Sequence, residues 1–211
     1  MGLGPVNSME RNKMLRQTVL FEEPNWPTPY ATPEVSGFRS VQLHLKRLSM
    51  DARFVCAIVA VEIVLPIWED GYPDEPVVLN TLETVRDWLN NDPGVGPTEL
   101  QEGMEACHEA ADNASREESP HAEAVAWGTR RLAQAANYEE SYGASPTSNE
   151  DWTTIDLTHV VQNAANATLP QWDRVPLDTP EGAEFLNHWW SECRKRLAFR
   201  YVDRMALSGR F

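Results

Sequence analysis

The sequence predicts an all-α protein, a single-domain bundle of about six to eight helices with a proline-rich N-terminal arm. The first indication is the run DARFVCAIVAVEIVLPIWE at residues 51–69, which is long enough for a helix and apolar almost all round. The second is that later segments repeat apolar residues every three or four positions between prolines. The third is that only residues 41–45 alternate as a strand does, and no hairpin pair is found.

Residues 1–36 differ in composition from the rest of the chain, and we expect a short helix at residues 10–20 followed by an arm that packs on the body. Four prolines exclude a helix from the second half of this region: Pro24, Pro27, Pro29 and Pro33. Trp26 and Tyr30 lie among them and favour a packed arm over a free linker. Residues 37–211 then form the all-helical domain, since a 42% hydrophobic content suffices for a core.

The composition also indicates the compartment. The cysteines at positions 56, 107 and 193 are widely spaced and match no zinc or disulfide pattern, which favours reduced, buried thiols. The N-terminus lacks a charged segment followed by an apolar one, so no secretory signal is predicted. The apolar run is shorter than the roughly 20 residues that a bilayer demands. We therefore expect a cytoplasmic protein that makes no membrane contact.

The helices are predicted in order from their spacing. Residues 38–48 fit both a strand and a helix, and we favour the helix. The central helix begins at Ser49 or Asp51 as its N-cap, and Pro66 should kink or end it near Val64. Five later helices are predicted at residues 77–91, 97–117, 120–138, 154–169 and 181–207. The second and third of these five are rich in alanine and should therefore pack tightly against each other.

The net charge of −14 is concentrated in the middle of the chain, because residues 51–118 contain 16 acidic and 3 basic residues. Such a field repels nucleic acid and anionic lipid and attracts a basic protein partner, whereas plain solubility is the simpler interpretation. If a partner binds, we expect carboxylates and aromatic anchors from this region to contact it. They are Trp68, Glu69, Asp70, Tyr72, Asp74, Glu75, Asp87, Asp92, Glu99, Glu102 and Glu109.

Glu62 lies in the middle of the central apolar run. An ionised carboxylate at such a position is costly unless it is paired. The candidate partners are four arginines: Arg53, Arg86, Arg130 and Arg131. We expect a structural ion pair, with a functional carboxylate as the alternative.

The last predicted helix is basic. Arg196, Arg200 and Arg204 follow one another at intervals of four and therefore share a helix face. Nucleic-acid binding is one interpretation of this face, but the acidic remainder of the chain favours pairing with the acidic middle.

No catalytic residue, metal ligand or cofactor is predicted. Glu105 and His108 have the Glu-x-x-His spacing of di-iron bundles, but the second such pair is missing from the sequence. His188 and Glu192 lack the His-Glu-x-x-His zinc motif, and their spacing is typical of a helix surface. Cys107 and His108 are neighbours, so on a helix they point about 100° apart, which is poor geometry for a nucleophile and its base.

The central helix and the segment after it carry a series of short motifs. They are Asp51-Ala-Arg53, Val61-Glu62, Val64-Leu65-Pro66, Trp68-Glu69, Pro73, Pro76 and Arg86-Asp-Trp88, followed by alanines up to Tyr138. This series resembles a family of all-helical bacterial immunity proteins found beside polymorphic toxin genes. The chain departs from the family pattern where Cys-Ala-Glu becomes Ala60-Val61-Glu62 and where Arg-Pro becomes Glu75-Pro76. The resemblance implies an inhibitor and names no toxin.

Three functions follow from these observations as hypotheses. The first is an immunity protein that neutralises a basic toxin domain by binding it through the acidic surface, without turnover of its own. The second is a helical metalloenzyme that uses Glu62, Glu105 and His108. The third is an interaction module of a phage or secretion assembly, with the last helix and the proline-rich arm as its contacts. We favour the first hypothesis.

Overall fold

The structure is a computed structural model that describes residues 37–142, 149–169, 177 and 179–207. The side chains of residues 142, 149–151 and 198–207 are outside this description. The helix and arm that the sequence predicts at residues 1–36 lie outside the described residues. The same holds for the side chains of Arg200 and Arg204.

The described residues form seven α-helices and no strand, which confirms the prediction of an all-α bundle. In chain order they are α1 (Gly37–Lys46), α2 (Met50–Gly71), α3 (Val77–Leu89), α4 (Pro97–Arg116), α5 (Pro120–Tyr142), α6 (Asn149–Thr168) and α7 (Pro180–Leu207). Apart from the end of α2, their bounds differ from the predicted ones by only a few residues. The ambiguous segment after residue 37 is helical, as favoured from the sequence.

Helix α2 is the centre of the bundle and packs against α3, α5, α6 and α7. The Ser49 hydroxyl caps its first turn by accepting a hydrogen bond from the Ala52 N–H at 3.4 Å. Residues 52–61 are all buried, which explains why this stretch is apolar on every side. Beyond Glu62 only Val64 and Trp68 are buried, so the last turns of α2 leave the core with one face towards solvent.

Of the two effects expected of Pro66, a kink or an end near Val64, the end is wrong, because the helix continues through Pro66 to Gly71. Pro66 is exposed, so its ring meets solvent instead of a neighbouring helix. An interior proline removes one backbone hydrogen bond and costs about 3 kcal/mol. Burial of Trp68 offsets that cost, since its side chain is only 1% exposed and its indole N–H donates to the Glu75 carbonyl at 2.8 Å.

Helices α4, α5 and α6 form a closely packed layer, in which α5 contacts both of its neighbours extensively. Alanines supply much of the buried surface of α4 and α5. Gly128 of α5 marks a close approach to α6, because a Cβ there would lie 3.3 Å from the Asn163 Cβ. Small residues thus bring the helix backbones together, as their abundance in the sequence predicts.

Helix α7 closes the bundle by packing against α2 and α6. The fully buried Trp189 joins α7 to the central helix, since its indole N–H donates to the Cys56 carbonyl at 2.8 Å. Among the described helices, none has a stretch long and apolar enough to cross a membrane.

Candidate protein-binding surface

All nine carboxylates predicted to contact a partner are exposed in the structure. They are Glu69, Asp70, Asp74, Glu75, Asp87, Asp92, Glu99, Glu102 and Glu109. Glu69 and Asp70 lie in the last turn of α2, Asp87 lies on α3, and α4 carries Glu99, Glu102 and Glu109. The other three lie in the loops that connect these helices. Their exposure follows from the cost of burying an unpaired charge.

The fold divides these carboxylates into two groups. The Tyr72 hydroxyl donates to Glu117 Oε2 at 2.9 Å, which places the turn after α2 beside the C-terminal end of α4. Asp87 and Asp92 lie at the opposite end of α3, near the start of α4. A helix the length of α3 spans about 20 Å, so the two groups are separate surfaces. We call Glu69, Asp70, Asp74, Glu75 and Glu117 the turn cluster.

Two of the predicted contact residues are engaged in local backbone structure. Asp92 Oδ1 accepts a hydrogen bond from the Gly94 N–H at 2.8 Å in the loop after α3. Glu99 Oε2 accepts one from the Gly96 N–H, also at 2.8 Å, at the start of α4. Backbone hydrogen bonds from Glu99 itself and from Gly96 lower the pKa of the Glu99 carboxyl. We did not predict these turn and capping roles from the sequence. The Pro-Gly-x-Gly-Pro loop between the two side chains indicates them, because it ends one helix and begins the next.

The carboxylates of the turn cluster make no ion pair with any described residue. Ion pairs with arginine or lysine are formed instead by carboxylates elsewhere in the described residues, among them Glu62, Asp156 and Glu192. Between residues 69 and 118 the sequence holds 14 acidic residues but only Arg86 and Arg116 as bases. Arg86 is paired with Glu62, and Arg116 beside Glu117 forms a hydrogen bond with Asn113, so the charge around the turn remains strongly negative.

Of the two predicted aromatic anchors, only Tyr72 lies at the surface. Its half-buried ring stacks on Trp68, with the ring centroids 4.5 Å apart and an interplanar angle of 19°. Trp68 is buried beneath it and is unavailable to a partner in this conformation. The reason is that α2 runs past Pro66, which turns Trp68 inwards on the same face as Val64.

Glu62 is held by two arginines from different helices. Its Oε1 lies 2.6 Å from Arg86 Nη2 of α3, and its Oε2 lies 2.7 Å from Arg196 Nη2 of α7. The Glu62 side chain is 16% exposed, so the group sits where α2 leaves the core and not inside it. This carboxylate therefore ties the central helix to two neighbours. Arg196 was not among the candidate partners, but the basic face of the last helix was the signal for it.

The other candidate arginines bind elsewhere, which corrects the expectation of an ion pair between them and Glu62. Arg53 precedes Glu62 on the same helix by about 13 Å of axial rise and is buried against α6, where it donates to Thr154. Arg130 lies over the Trp127 ring, with its guanidinium carbon 5.2 Å from the ring centroid. Arg131 forms an ion pair with Asp156 at 2.9 Å.

We expect Glu62→Gln to lower the free energy of unfolding by about 1–3 kcal/mol, because two charge-assisted hydrogen bonds are weakened and Arg86 is left partly buried. Because Arg196 is 60% exposed, solvent screens its contact with Glu62, and we expect a loss of unfolding free energy in the lower part of that range. Urea denaturation followed by circular dichroism measures the change. The matched control is Glu192→Gln on α7, whose ion pair with Lys195 is more exposed and should contribute less than about 1 kcal/mol. Equal losses in the two variants would contradict this role.

The residues of the hypothetical metalloenzyme do not come together. Glu105 is exposed and accepts a hydrogen bond from Gln101, while His108 packs edge-on against Trp127. Within the described residues, no group of three or more histidine, cysteine, aspartate and glutamate side chains could hold a metal ion. Burial raises the pKa of Cys107 to about 11, so its thiol stays protonated near neutral pH.

Comparison with known proteins identifies no relative: no family model, no curated protein and no solved structure matches this chain.

Proposed function

We propose that this protein is a cytoplasmic inhibitor of the immunity type, which neutralises a toxin by binding a basic face of it through the turn cluster. The observation that supports the proposal is the set of exposed carboxylates without an ion pair among the described residues. A surface of one sign steers a partner of the opposite sign during diffusional encounter. The resemblance of the central motifs to immunity proteins points in the same direction.

The density of charge in the turn cluster supports the steering role. Four of its carboxylates lie within seven consecutive residues: Glu69, Asp70, Asp74 and Glu75. The hydrogen bond from the Tyr72 hydroxyl places Glu117 beside them. Charges closer together than the Debye length, about 8 Å at physiological ionic strength, act on a partner as a unit. Such a concentration of like charge opposes folding through self-repulsion, a cost that attraction to a partner would offset.

The backbone beneath the cluster is fixed in advance of binding. The buried Trp68 holds the Glu75 carbonyl, and the Tyr72–Glu117 hydrogen bond ties the turn to α4. A surface that is already ordered loses less conformational entropy when a partner binds. Tyr72 also offers a rigid aromatic ring, the kind of residue that contributes strongly to interface energies.

The double variant Asp74→Lys/Glu75→Lys should slow association with a toxin domain encoded beside this gene by about tenfold or more at low salt, because the formal charge of the five-residue turn cluster falls from −5 to −1. The matched control is Glu181→Lys/Glu184→Lys, which makes the same change in net charge on exposed positions of α7. Stopped-flow association rates at low and high salt measure both variants. We expect the control to bind nearly as fast as the wild type.

Outcomes of two kinds would contradict the proposal, one kinetic and one concerning the toxin itself. One is an equal effect of the two double variants, since net charge and not the turn cluster would then govern association. The other is a gene neighbourhood without any toxin domain, or a toxin whose activity is unchanged at saturating concentrations of this protein.

A second candidate, an interaction module of a larger assembly, is favoured by one observation. Arg194 and Lys195 are exposed on α7, where Lys195 pairs with Glu192 of the same helix, while Arg196 beside them pairs with Glu62. The molecule therefore has a basic patch in addition to the acidic turn cluster. A subunit that contacts two neighbours in an assembly would use one patch for each neighbour. Failure of the toxin experiments together with co-purification of an assembly through α7 would favour this candidate.

A further inference from the structure

A small cavity opens between α4 and α5, away from the turn cluster. Its volume is about 270 Å³, and it is lined by Met104, Arg130, Gln134, Asn137, Tyr138 and Ser141. Ligand pockets in proteins usually measure about 300–1,000 Å³, so this cavity fits one small molecule or one side chain and is too small for a nucleotide. Its walls combine apolar surface from α4 with polar groups from α5.

Arg130 is the charged group of the cavity, and its hydrogen bonding is incomplete. The guanidinium lies over the Trp127 ring, and Nη1 donates a long hydrogen bond to Gln134 Oε1 at 3.3 Å. Its Nε is sealed from solvent and has no hydrogen-bond partner. Arg86 and Arg131, in contrast, are each paired with a carboxylate. Among the described residues, no carboxylate lies within ion-pair distance of Arg130.

The position of Arg130 is unfavourable without an anion. An arginine side chain is flexible enough to place its guanidinium in solvent. The Arg130 guanidinium instead lies against the Trp127 ring, with its Nε–H group excluded from water. Burial, and after it the positive charge of Arg131, lowers the pKa of Arg130. A bound carboxylate brings both a compensating charge and acceptors for the guanidinium N–H groups of Arg130, which lines the cavity.

The surroundings of the cavity decide which anion fits. The Asn137 amide donates to Gln101 at 3.0 Å, and the Gln101 amide donates to Glu105 at 2.6 Å, so a carboxylate stands at the rim. This rim and the net charge of −14 oppose multiply charged anions such as phosphate. A singly charged carboxylate meets less repulsion. Half-buried Met104 and the partly exposed Tyr138 ring offer contact to an attached apolar group.

We propose that the cavity between α4 and α5 binds a carboxylate attached to a small apolar group, with Arg130 as the residue that binds the carboxylate. The ligand is either a small carboxylic acid or a carboxylate of a polypeptide, such as a free C-terminus. This inference concerns a separate site and does not depend on the proposed inhibitor function, because it is tested on the isolated protein.

The test is a titration of the purified chain with benzoate, followed by heteronuclear NMR shifts of the residues that line the cavity. Benzamide has nearly the same shape without the charge and serves as the ligand control. A short peptide with a free C-terminus, compared with its amidated form, distinguishes the polypeptide source from the small-molecule source. We expect one of the two carboxylates to bind at the cavity and neither of the uncharged analogues to do so.

Three variants locate the binding. Arg130→Gln should weaken it by about tenfold or more, through loss of a charge-assisted contact. Arg116→Gln removes an exposed arginine from α4 and should leave it unchanged. Ser141→Trp fills the cavity from an exposed position, so it should abolish binding in a folded protein even if Arg130→Gln does not fold.

The proposal is overturned by any of three results. The first is that neither benzoate nor the free-carboxylate peptide shifts the cavity residues of the wild type. The second is that Arg130→Gln folds and binds as tightly as the wild type. The third is that Ser141→Trp folds and still binds, which would place the carboxylate elsewhere.

Discussion

The Trp189→Ala variant is expected to lose about 3–5 kcal/mol of unfolding free energy, the usual cost of removing a large buried aromatic side chain. Trp189 is completely buried between α7 and α2 and contacts Trp190 edge-on, with ring centroids 5.8 Å apart. It also donates the hydrogen bond to the Cys56 carbonyl. Domains of this size are stable by only about 5–15 kcal/mol, so the variant approaches the limit of folding. Urea denaturation followed by far-ultraviolet circular dichroism measures the loss.

Two controls separate the contributions at this position. Trp189→Phe keeps an aromatic ring in the core and loses mainly the hydrogen bond, for which we expect about 1–2 kcal/mol. Trp152→Ala removes a tryptophan that is 61% exposed, and its effect should stay within about 0.5 kcal/mol. A Trp189→Ala variant as stable as Trp152→Ala would show that α7 does not pack on α2 as described.

Arg53→Leu should destabilise the fold by about 3–4 kcal/mol, because each buried acceptor left without a donor costs about 1–3 kcal/mol. The Arg53 side chain is only 3% exposed and donates to three acceptors. They are the Lys46 carbonyl at 3.1 Å, the Leu48 carbonyl at 3.0 Å and the Thr154 hydroxyl at 2.9 Å. The Lys46 carbonyl belongs to the last residue of α1 and the Leu48 carbonyl lies just beyond it, where no helix N–H is available to either. The guanidinium thereby joins α1, α2 and α6.

Arg53→Lys tests whether charge or geometry matters here. A lysine keeps the charge but cannot reach three divergent acceptors at once, so we expect it to recover only part of the loss. Arg47→Leu removes an exposed arginine from the same region and should change stability by less than about 0.5 kcal/mol. Thermal and urea unfolding of the three variants decide between these outcomes. A fully stable Arg53→Leu protein would contradict the role of this side chain.

Much of the fold was predictable because local signals and apolar spacing agree along most of the chain. Proline and glycine mark the starts of α4 and α5, and the apolar stripes give their faces. The end of α2 was not predictable, since the helix continues past Pro66 where burial of Trp68, two residues later, offsets the cost of the proline. That burial depends on a turn and a neighbouring helix, which the local sequence does not show.

The candidate surface was predictable in its exposure but not in its grouping. Charge alone indicates that residues such as Asp74 and Asp87 are exposed, because burial of a carboxylate without a partner is costly. Which carboxylates share a surface depends on the antiparallel arrangement of α2, α3 and α4. The partners of Glu62 show the same limit: Arg196 is distant in sequence, and only the packing of α7 on α2 brings it near.

The hydrogen bond between Trp189 and Cys56 also has a consequence for synthesis on the ribosome. The two residues are 133 positions apart, and translation at about 5–20 residues per second separates their appearance by on the order of ten seconds. During that interval the most apolar helix of the chain lacks one of its covering neighbours. The nascent protein therefore presents a binding site for chaperones until its last helix emerges, and truncation before that helix leaves a product prone to aggregation.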